Sequence, residues 1–450
     1  MSDLNNRSSA REKNDAGFTA RNLALRALIE IEEKGAYANL LVPSYLQESN
    51  LEPRDRNFVT ELVYGTLRMQ FFYDRVIERA ANRKINKIDS VPRNILRMTA
   101  HQLLTLNIAA HAPVDSAVRL SVKNKNGSAS GFVNAVSRRM SEKPLSEWII
   151  QLKVGCSEIE SLAIEFAHPK WIVDEYLKRL KDIDSVRREL AENNRNPRVS
   201  AVIYPGETWS TTSLDQSEMC EWVPRARYVS GNPESLIEIQ NRTAGVQDQG
   251  SYLVTEALSS AAEDIPGIWL DMCAGPGGKA ALLSRWARMN NKEFVALEIS
   301  EHRALLMRRV TNSLVVADGR KPPIAPESAS LILLDAPCSG LGALRRRPDA
   351  RLRKRPADIK PLVELQRSLL TSAIELLCPG GFLGYVTCSP LIEETIENRE
   401  WVLEKFPQIQ SVDARRYFPA EMELENRPDV QLWPGVHKTD AMYLALFTKI

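Results

Sequence analysis

Apolar residues recur at helical spacing through the first third of the chain. Leu23, Ala27, Leu28 and Ile31 fall on one face of a 3.6-residue repeat, and Leu96, Ala100, Leu103 and Leu104 fall on another. Strand-like alternation is absent from residues 18–142, so an all-α domain is expected there, preceded by a polar, disordered tail over residues 1–17. Residues 143–240 read as a small connecting α+β region, with helical spacing from Trp171 to Leu190 and a strand from Val199 to Tyr204. From residue 241 to 450 the pattern changes. Short apolar runs, GIWLDM (267–272), EFVALEI (293–299), SLVVA (313–317), SLILLDA (330–336) and GFLGYVT (381–387), alternate with helical stretches such as Leu362, Leu365, Leu369, Ala373 and Leu376. Strands spaced by helices predict a mostly parallel sheet with helices on both faces, a Rossmann-like α/β domain. VQLWPG and AMYLALFTKI have no room for a helix between them and predict an antiparallel hairpin at the sheet's C-terminal edge.

Composition narrows the class. The 450 residues are 44% hydrophobic and 26% charged, as in an ordinary globular chain of two to four domains. No apolar run approaches the ~18 residues that a membrane span requires, and Met1 to Gly17 carries no signal-peptide core. Six cysteines are too few for a disulfide scaffold, so a cytoplasmic protein is expected. Net charge is only +2, but residues 341–360 hold eight basic and two acidic side chains. The five histidines do not cluster at ligand spacing, so no metal is expected.

The segment LDMCAGPGGKAALL sits where a first strand hands over to a helix. Gly275, Gly277 and Gly278 permit a tight turn and close approach of a ligand to the main chain. A phosphate-binding Walker loop needs Gly at the position of Cys273 and Ser or Thr at that of Ala280, so that reading fails. The spacing is not G-x-G-x-x-G either. Glu298, ending the second strand, is placed to accept from ribose hydroxyls, and Asp318, after the third, from an adenine amino group. A nucleoside ligand without a required pyrophosphate, such as S-adenosylmethionine, suits all three features. Asp335, Pro337 and Cys338 follow one buried strand and Cys388 follows another, at the carboxyl ends that face the ligand crevice. Either cysteine alone reads equally well as a small buried residue. Together they match one methyl transfer, in which a thiolate adds to C6 of a pyrimidine and so makes C5 nucleophilic toward a sulfonium methyl. An acid near N3 would neutralise the charge on the ring.

These segments, with VQDQGSYLV (246–254), ALEIS (296–300), ADGR (317–320), DAPCSGLGALRRRPDAR (335–351) and TCSPLIEE (387–394), resemble the bacterial 16S ribosomal-RNA cytosine-C5 methyltransferases of the RsmB (Sun/Fmu) type. RDRNFVTELVYGTLR (54–68) and GFVNAVSRRM (131–140) resemble the NusB-like RNA-binding domain that precedes the catalytic part in that family. The resemblance implies Cys388 as the nucleophile and Cys338 as the group assisting product release. Asp335 would contact the cofactor or the base near N3, and Lys279 would help orient the base. Cys273, Ala274, Gly275, Pro276, Gly277, Gly278, Lys279, Glu298, Asp318 and Asp335 would bind S-adenosylmethionine. Two departures stand out: Glu298 where Asp is usual, and AGPGG in place of AAPGG.

Arg345, Arg346, Arg347, Arg351 and Arg353 follow Cys338 closely and are expected to hold RNA phosphates on either side of an extruded base. The partner implied is 16S ribosomal RNA, with no membrane and no obligate protein partner. Two alternatives remain open: the same chemistry on transfer RNA, and a non-catalytic RNA-binding ribosome-assembly factor.

Overall fold

The computed structural model describes residues 2–124, 127–215, 217–262, 265–308, 311 and 313–450, and the side chains of residues 2–16 lie outside that set. The tail expected over residues 1–17 falls largely on side chains that are not described. Helix α1 spans Ser2–Lys34. The chain forms two units. One comprises Met1–Leu177 and Leu344–Arg353, and the other Lys178–Ala343 and Lys354–Ile450.

The first unit is helical, as its apolar spacing predicts. After α1 come α2 (Ala38–Gln47), α3 (Pro53–Ala81), α4 (Ser90–Ala100), α5 (His111–Lys123) and α6 (Ser130–Ser141). Leu28, Leu62, Phe72, Ile95, Leu96 and Val133 meet in one core. Arg97 is buried there and forks onto Asp74 at 2.6 and 2.9 Å while reaching Glu32 at 2.8 Å, which ties α4 to α3 and α1. Two further helices, α7 (Leu145–Lys153) and α8 (Glu158–Glu165), belong to this unit. Trp148 is the reason: it is buried in the helical core and its Nε1 donates to the Met140 carbonyl at 3.1 Å. The single connecting region expected over 143–240 is therefore divided, with residues 143–177 in the first unit and 178–240 in the second.

The second unit opens with a small antiparallel sheet of β1 (Ser200–Ile203), β2 (Glu218–Met219), β3 (Ala226–Tyr228) and β4 (Ala244–Val246), in the order β2-β3-β1-β4. Val202, Cys220 and Tyr228 share a core with Tyr252 and Leu253 of α9 (Gln249–Ala261), so this sheet is part of the second unit's main packing. The main sheet holds β5 (Ile268–Asp271), β6 (Phe294–Glu298), β7 (Leu314–Val316), β8 (Ala329–Asp335), β9 (Leu377–Thr387), β10 (Ile409–Val412), β11 (Val430–Gln431) and β12 (Tyr443–Lys449). Its order is β10-β12-β9-β8-β5-β6-β7, with β11 paired to β12. Strands β5 to β9 run parallel, β12 runs antiparallel to β9, and β10 pairs antiparallel with β12 and so shares the direction of β5 to β9. The expected hairpin forms from β11 and β12. However, β12 lies one strand in from the edge, which β10 occupies. Six of the seven residues of β12 are buried, as suits an interior strand.

The chain leaves β5 toward β6 and then returns to place β8 on its other side. The carboxyl ends of β5 and β8 thus flank the point where strand order reverses, the place where open α/β sheets leave a ligand crevice.

Candidate active site

The loop after β5 turns through Gly277, whose φ of +113° is a conformation that L side chains rarely adopt, and delivers the chain to α10 (Gly278–Met289). Ala280, Ala281, Leu282 and Leu283 are all buried, and Lys279, in the first turn of that helix, is largely buried with them. Lys279 Nζ donates to Asp335 Oδ2 at 2.7 Å, bridging β5's loop and the end of β8 across the reversal point. Burial works against the ammonium charge, but Asp335 outweighs it, with smaller help from Cys388 and Asp271, and the Lys279 pKa rises.

Parallel pairing of β8 with β9 sets Asp335 opposite Val386, and Ala336 N donates to the Val386 carbonyl at 2.9 Å. The segments that follow the two strands therefore run side by side, and Cys338 Sγ lies 3.4 Å from Cys388 Sγ. The close thiol neighbour, followed by burial, pushes the Cys338 pKa well above its usual value. Gly342 holds the geometry from a third direction. Its N–H donates to the Cys388 carbonyl at 2.9 Å and its carbonyl accepts from Ala441 N at 2.8 Å. A Cβ at Gly342 would stand 2.4 Å from the Ala441 oxygen and 2.8 Å from that of Cys388.

A residue that sequence reasoning passed over organises these loops. Glu394 is fully buried and its two carboxyl oxygens take four donors: the Ser339 amide at 2.8 Å, the Ser339 hydroxyl at 2.5 Å, the Ser389 hydroxyl at 2.5 Å and Gln366 Nε2 at 3.1 Å. Ser339 and Ser389 each follow a cysteine, so one side chain registers both thiol-bearing loops. Tyr385 Oη donates to the Glu394 carbonyl at 2.7 Å, and Asn398 Nδ2 reaches both Tyr385 Oη and Gln366 Oε1. The repeated Cys-Ser pair was the available signal. The shared acceptor was not visible because its partners lie 5, 28 and 55 residues away.

The expected nucleoside-binding residues gather at the ends of β5, β6 and β7. Glu298 is buried and accepts from Gly275 N at 2.9 Å and Ser300 N at 2.8 Å, with Arg303 Nη2 3.2 Å away. The two departures from the family pattern prove to be one feature. A Cβ at Gly275 would stand 2.2 Å from Glu298 Oε2, so the longer acid occupies the space that alanine would need. Asp318 is gripped by Arg320 through Nε at 3.0 Å and Nη2 at 2.6 Å, which holds its carboxyl below the usual range. Burial, with Asp271 and Asp335 nearby, raises the Cys273 thiol far enough to make it a poor thiolate.

Asp271 tests whether a cationic nucleoside suits this crevice. It is buried, both carboxyl oxygens lack a hydrogen-bond partner among the described residues, and burial next to Asp335 pushes its pKa up to about 8. An orphaned buried carboxyl is costly unless a donor completes it. With Asp271, Glu298 and Asp335 around one cleft, the residues fit a positively charged ligand rich in N–H and O–H donors, as S-adenosylmethionine is. Among the described residues, no group of three His, Cys, Asp or Glu gathers as a metal site.

The arginines expected to meet RNA need correction. Residues Leu344–Arg353 belong to the helical unit. Arg351 is fully buried and donates to the carbonyls of Arg68 at 2.6 Å and Ala167 at 3.0 Å. Burial, with the Arg68 charge beside it, lowers its pKa to about 9. Arg353 donates to the carbonyls of Gly35 and Ala36, just past the end of α1, and pairs with Asp349 at 3.0 Å. Arg345 is buried as well. Ala167, Gly35 and Ala36 lie just past the ends of α8 and α1, where carbonyls lack helical partners, and the Arg68 carbonyl lies within α3, so Arg351 and Arg353 serve main-chain carbonyls instead of phosphates. Arg346 is half-buried and Arg347 exposed.

Comparison with known proteins agrees with this architecture. The family described as 16S rRNA methyltransferase RsmB/F matches residues 256–448, and the NusB family matches residues 19–142. A Mycobacterium tuberculosis protein described as a methyltransferase is 38% identical over 443 residues, which covers 96% of each chain. The ribosomal RNA small subunit methyltransferase B of Vibrio vulnificus is 27% identical, covering 96% of this chain and all of that one. The crystal structure of PH0851 superposes with a TM-score of 0.79 at 22% identity over 95% of this chain and 99% of that one. NSun6 from Pyrococcus horikoshii with SFG superposes with a TM-score of 0.53 at 17% identity over 62% of this chain and 98% of that one, and both likenesses concern the fold. No helix among the described residues is long and apolar enough to cross a membrane. With a glycine-loop crevice, paired cysteines and a NusB-family domain in one chain, the protein belongs to the RsmB/F family of S-adenosylmethionine-dependent RNA methyltransferases.

Proposed function

We propose that the protein methylates C5 of a cytosine in 16S ribosomal RNA through a covalent bond between Cys388 and C6 of the base. The observation that carries this reading is the 3.4 Å approach of Cys338 and Cys388, at the carboxyl ends of neighbouring parallel strands, beside the Lys279–Asp335 pair. S-adenosylmethionine, when bound, supplies an electrophilic methyl group. Everything else falls to the chain. The Cys388 thiolate adds to C6 and its electron pair moves onto the ring, making C5 nucleophilic. The Lys279–Asp335 pair holds a proton where charge develops near N3. After C5 has taken the methyl group, its proton leaves to a base. The electrons restore the C5–C6 double bond, and the C6–sulfur bond breaks with Cys388 leaving as thiolate. Cys338, at van der Waals distance from that sulfur, assists the release.

Residues 273–279 with Glu298, Asp318, Asp335 and the orphaned Asp271 form the cofactor cradle in this reading. Arg346 and Arg347 remain as phosphate contacts. The domain reading that goes with it places RNA recognition in residues 18–142 and chemistry in residues 241–450. Two variants test the proposal. Cys388→Ser is expected to abolish methyl transfer. Cys338→Ser is expected to accumulate a protein–RNA adduct that survives denaturing electrophoresis. Bisulfite mapping of 16S ribosomal RNA from cells lacking the protein locates the target. Undiminished methylation by Cys388→Ser would refute the nucleophile assignment, and an unchanged methylation map would refute the substrate.

A further inference from the structure

We infer that a basic cleft at the amino-terminal ends of β6 and β7 is a second anchoring site for RNA phosphates. This inference rests on the reading of the protein as an RNA methyltransferase. The cleft holds about 710 Å³ and is lined by Arg242, Arg285, Arg288, Lys292 and Arg308. Its other described lining residues are three hydroxyl side chains, the amide of Asn291 and one buried ring, and none is a carboxylate. Arg242, Arg288 and Arg308 are exposed.

The cations come from separate parts of the chain. Arg285 and Arg288 lie one helical turn apart in the last turns of α10, Lys292 precedes β6, and Arg242 precedes β4. Two lining residues are committed to the fold. Lys292 Nζ donates to the Ile265 carbonyl at 2.9 Å, and Arg285 Nη2 donates to the Arg242 carbonyl at 3.3 Å while its Nη1 lies 3.9 Å from Glu207. These bonds anchor two of the five cations, and the three exposed arginines carry the rest of the positive charge along the lining. A site of donors and positive charge, with carboxylates kept off its lining, selects an anion. Guanidinium groups match phosphate oxygens through paired N–H donors.

The position excludes the reacting nucleotide. Phe294 lines the cleft and Glu298 lies in the nucleoside crevice, at opposite ends of the same strand. Four residue steps at about 3.3 Å separate them by roughly 13 Å. The cleft therefore meets backbone phosphates away from the target base, where contacts position the nucleic acid without reading sequence.

The test is the double variant Arg288→Glu/Arg308→Glu in the full chain, compared with Arg288→Lys/Arg308→Lys. RNA affinity is measured by fluorescence anisotropy on 16S ribosomal RNA fragments across a salt series, and binding of inorganic pyrophosphate by calorimetry. Charge reversal is expected to weaken RNA binding at least tenfold at low salt. It should also reduce the slope of log K against log salt by about 1.4 to 1.8, the value for two phosphates. Cofactor binding and the single-turnover rate at saturating RNA should stay unchanged, and the lysine pair should keep most of the affinity. Unchanged affinity and slope would overturn the inference. So would a loss confined to pyrophosphate, which would mark a small-anion site. Because the readout is RNA affinity, it is separate from the cysteine tests: a wrong target base would leave this result standing.

Discussion

Replacing Glu394 by alanine should uncouple the two thiol-bearing loops, and its cost can be worked from the contacts. The carboxyl group serves four donors. After truncation, the Ser339 and Ser389 hydroxyls, 3.1 Å apart, can turn toward each other, and Gln366 keeps the Pro337 carbonyl at 2.9 Å. The Ser339 amide is left buried without a partner, at about 1–3 kcal/mol. The cavity left by the side chain adds about 2 kcal/mol. The sum is about 3–5 kcal/mol, or a fall in melting temperature of roughly 6–20 °C for a domain of this size. Glu394→Gln keeps the volume and should lose only about 1–2 kcal/mol. Activity should suffer more than stability suggests, because misplacing a reacting group by ~1 Å costs on the order of 100-fold. Calorimetric melting and single-turnover methyl transfer, with cofactor affinity as the internal control, give the comparison. A Glu394→Ala protein that melts within 2 °C of wild type, or transfers methyl at the wild-type rate, would refute the reasoning; both limits lie below the effects expected from the values above.

Four further outcomes are expected. Burial raises the Asp271 pKa to about 8, whereas the unfolded chain releases that proton near pH 4. The folded state thus binds the extra proton between those values, and stability is full below about pH 4 and lost as pH rises toward 8. Asp271→Asn should flatten this fall in urea midpoints measured from pH 4 to 8, and parallel profiles would count against it. Gly275→Ala should weaken cofactor binding at least tenfold by colliding with Glu298, and adding Glu298→Asp should restore most of it; a double variant no better than the single would dissolve the pairing. Arg351→Met, which removes the bonds to the Arg68 and Ala167 carbonyls, should lower the stability of the helical unit by about 2–4 kcal/mol and leave the salt slope of RNA binding untouched. Gly342→Ala should cost about 1–3 kcal/mol and slow methyl transfer, because its Cβ meets main-chain oxygens that cannot swing aside, the Cys388 carbonyl among them. Normal melting and turnover would show that the segment yields more readily than its contacts imply.

Much of the fold was legible in the order of apolar residues. Ala27, Leu28 and Ile31 are buried as their spacing predicts, and each of the five apolar runs between residues 267 and 387 overlaps a strand of the main sheet. Ile409–Val412 was not foreseen, because a four-residue strand with Gln410 and Ser411 at its centre carries little apolar signal and exists through pairing with β12. The run of arginines after Cys338 misled for a related reason. A cationic stretch resembles a solvated or phosphate-binding face until the carbonyls that surround Arg351 and Arg353 are known.

Local chemistry is a property of the chain by itself. The turn at Gly277, the acids closing β5, β6 and β8, and a cysteine beyond each of two buried strands follow from residue types at fixed offsets. What each group meets is a matter of distant partners. The parallel register of β8 and β9 brings two sulfurs 50 residues apart to 3.4 Å, and Glu394 locks them there. The same packing encloses Asp271 with no donor among the described residues and turns Arg351 from a surface charge into an internal strut. Periodicity is written over a few residues and can be read in place, whereas burial and hydrogen-bond completion depend on segments that sequence order keeps apart.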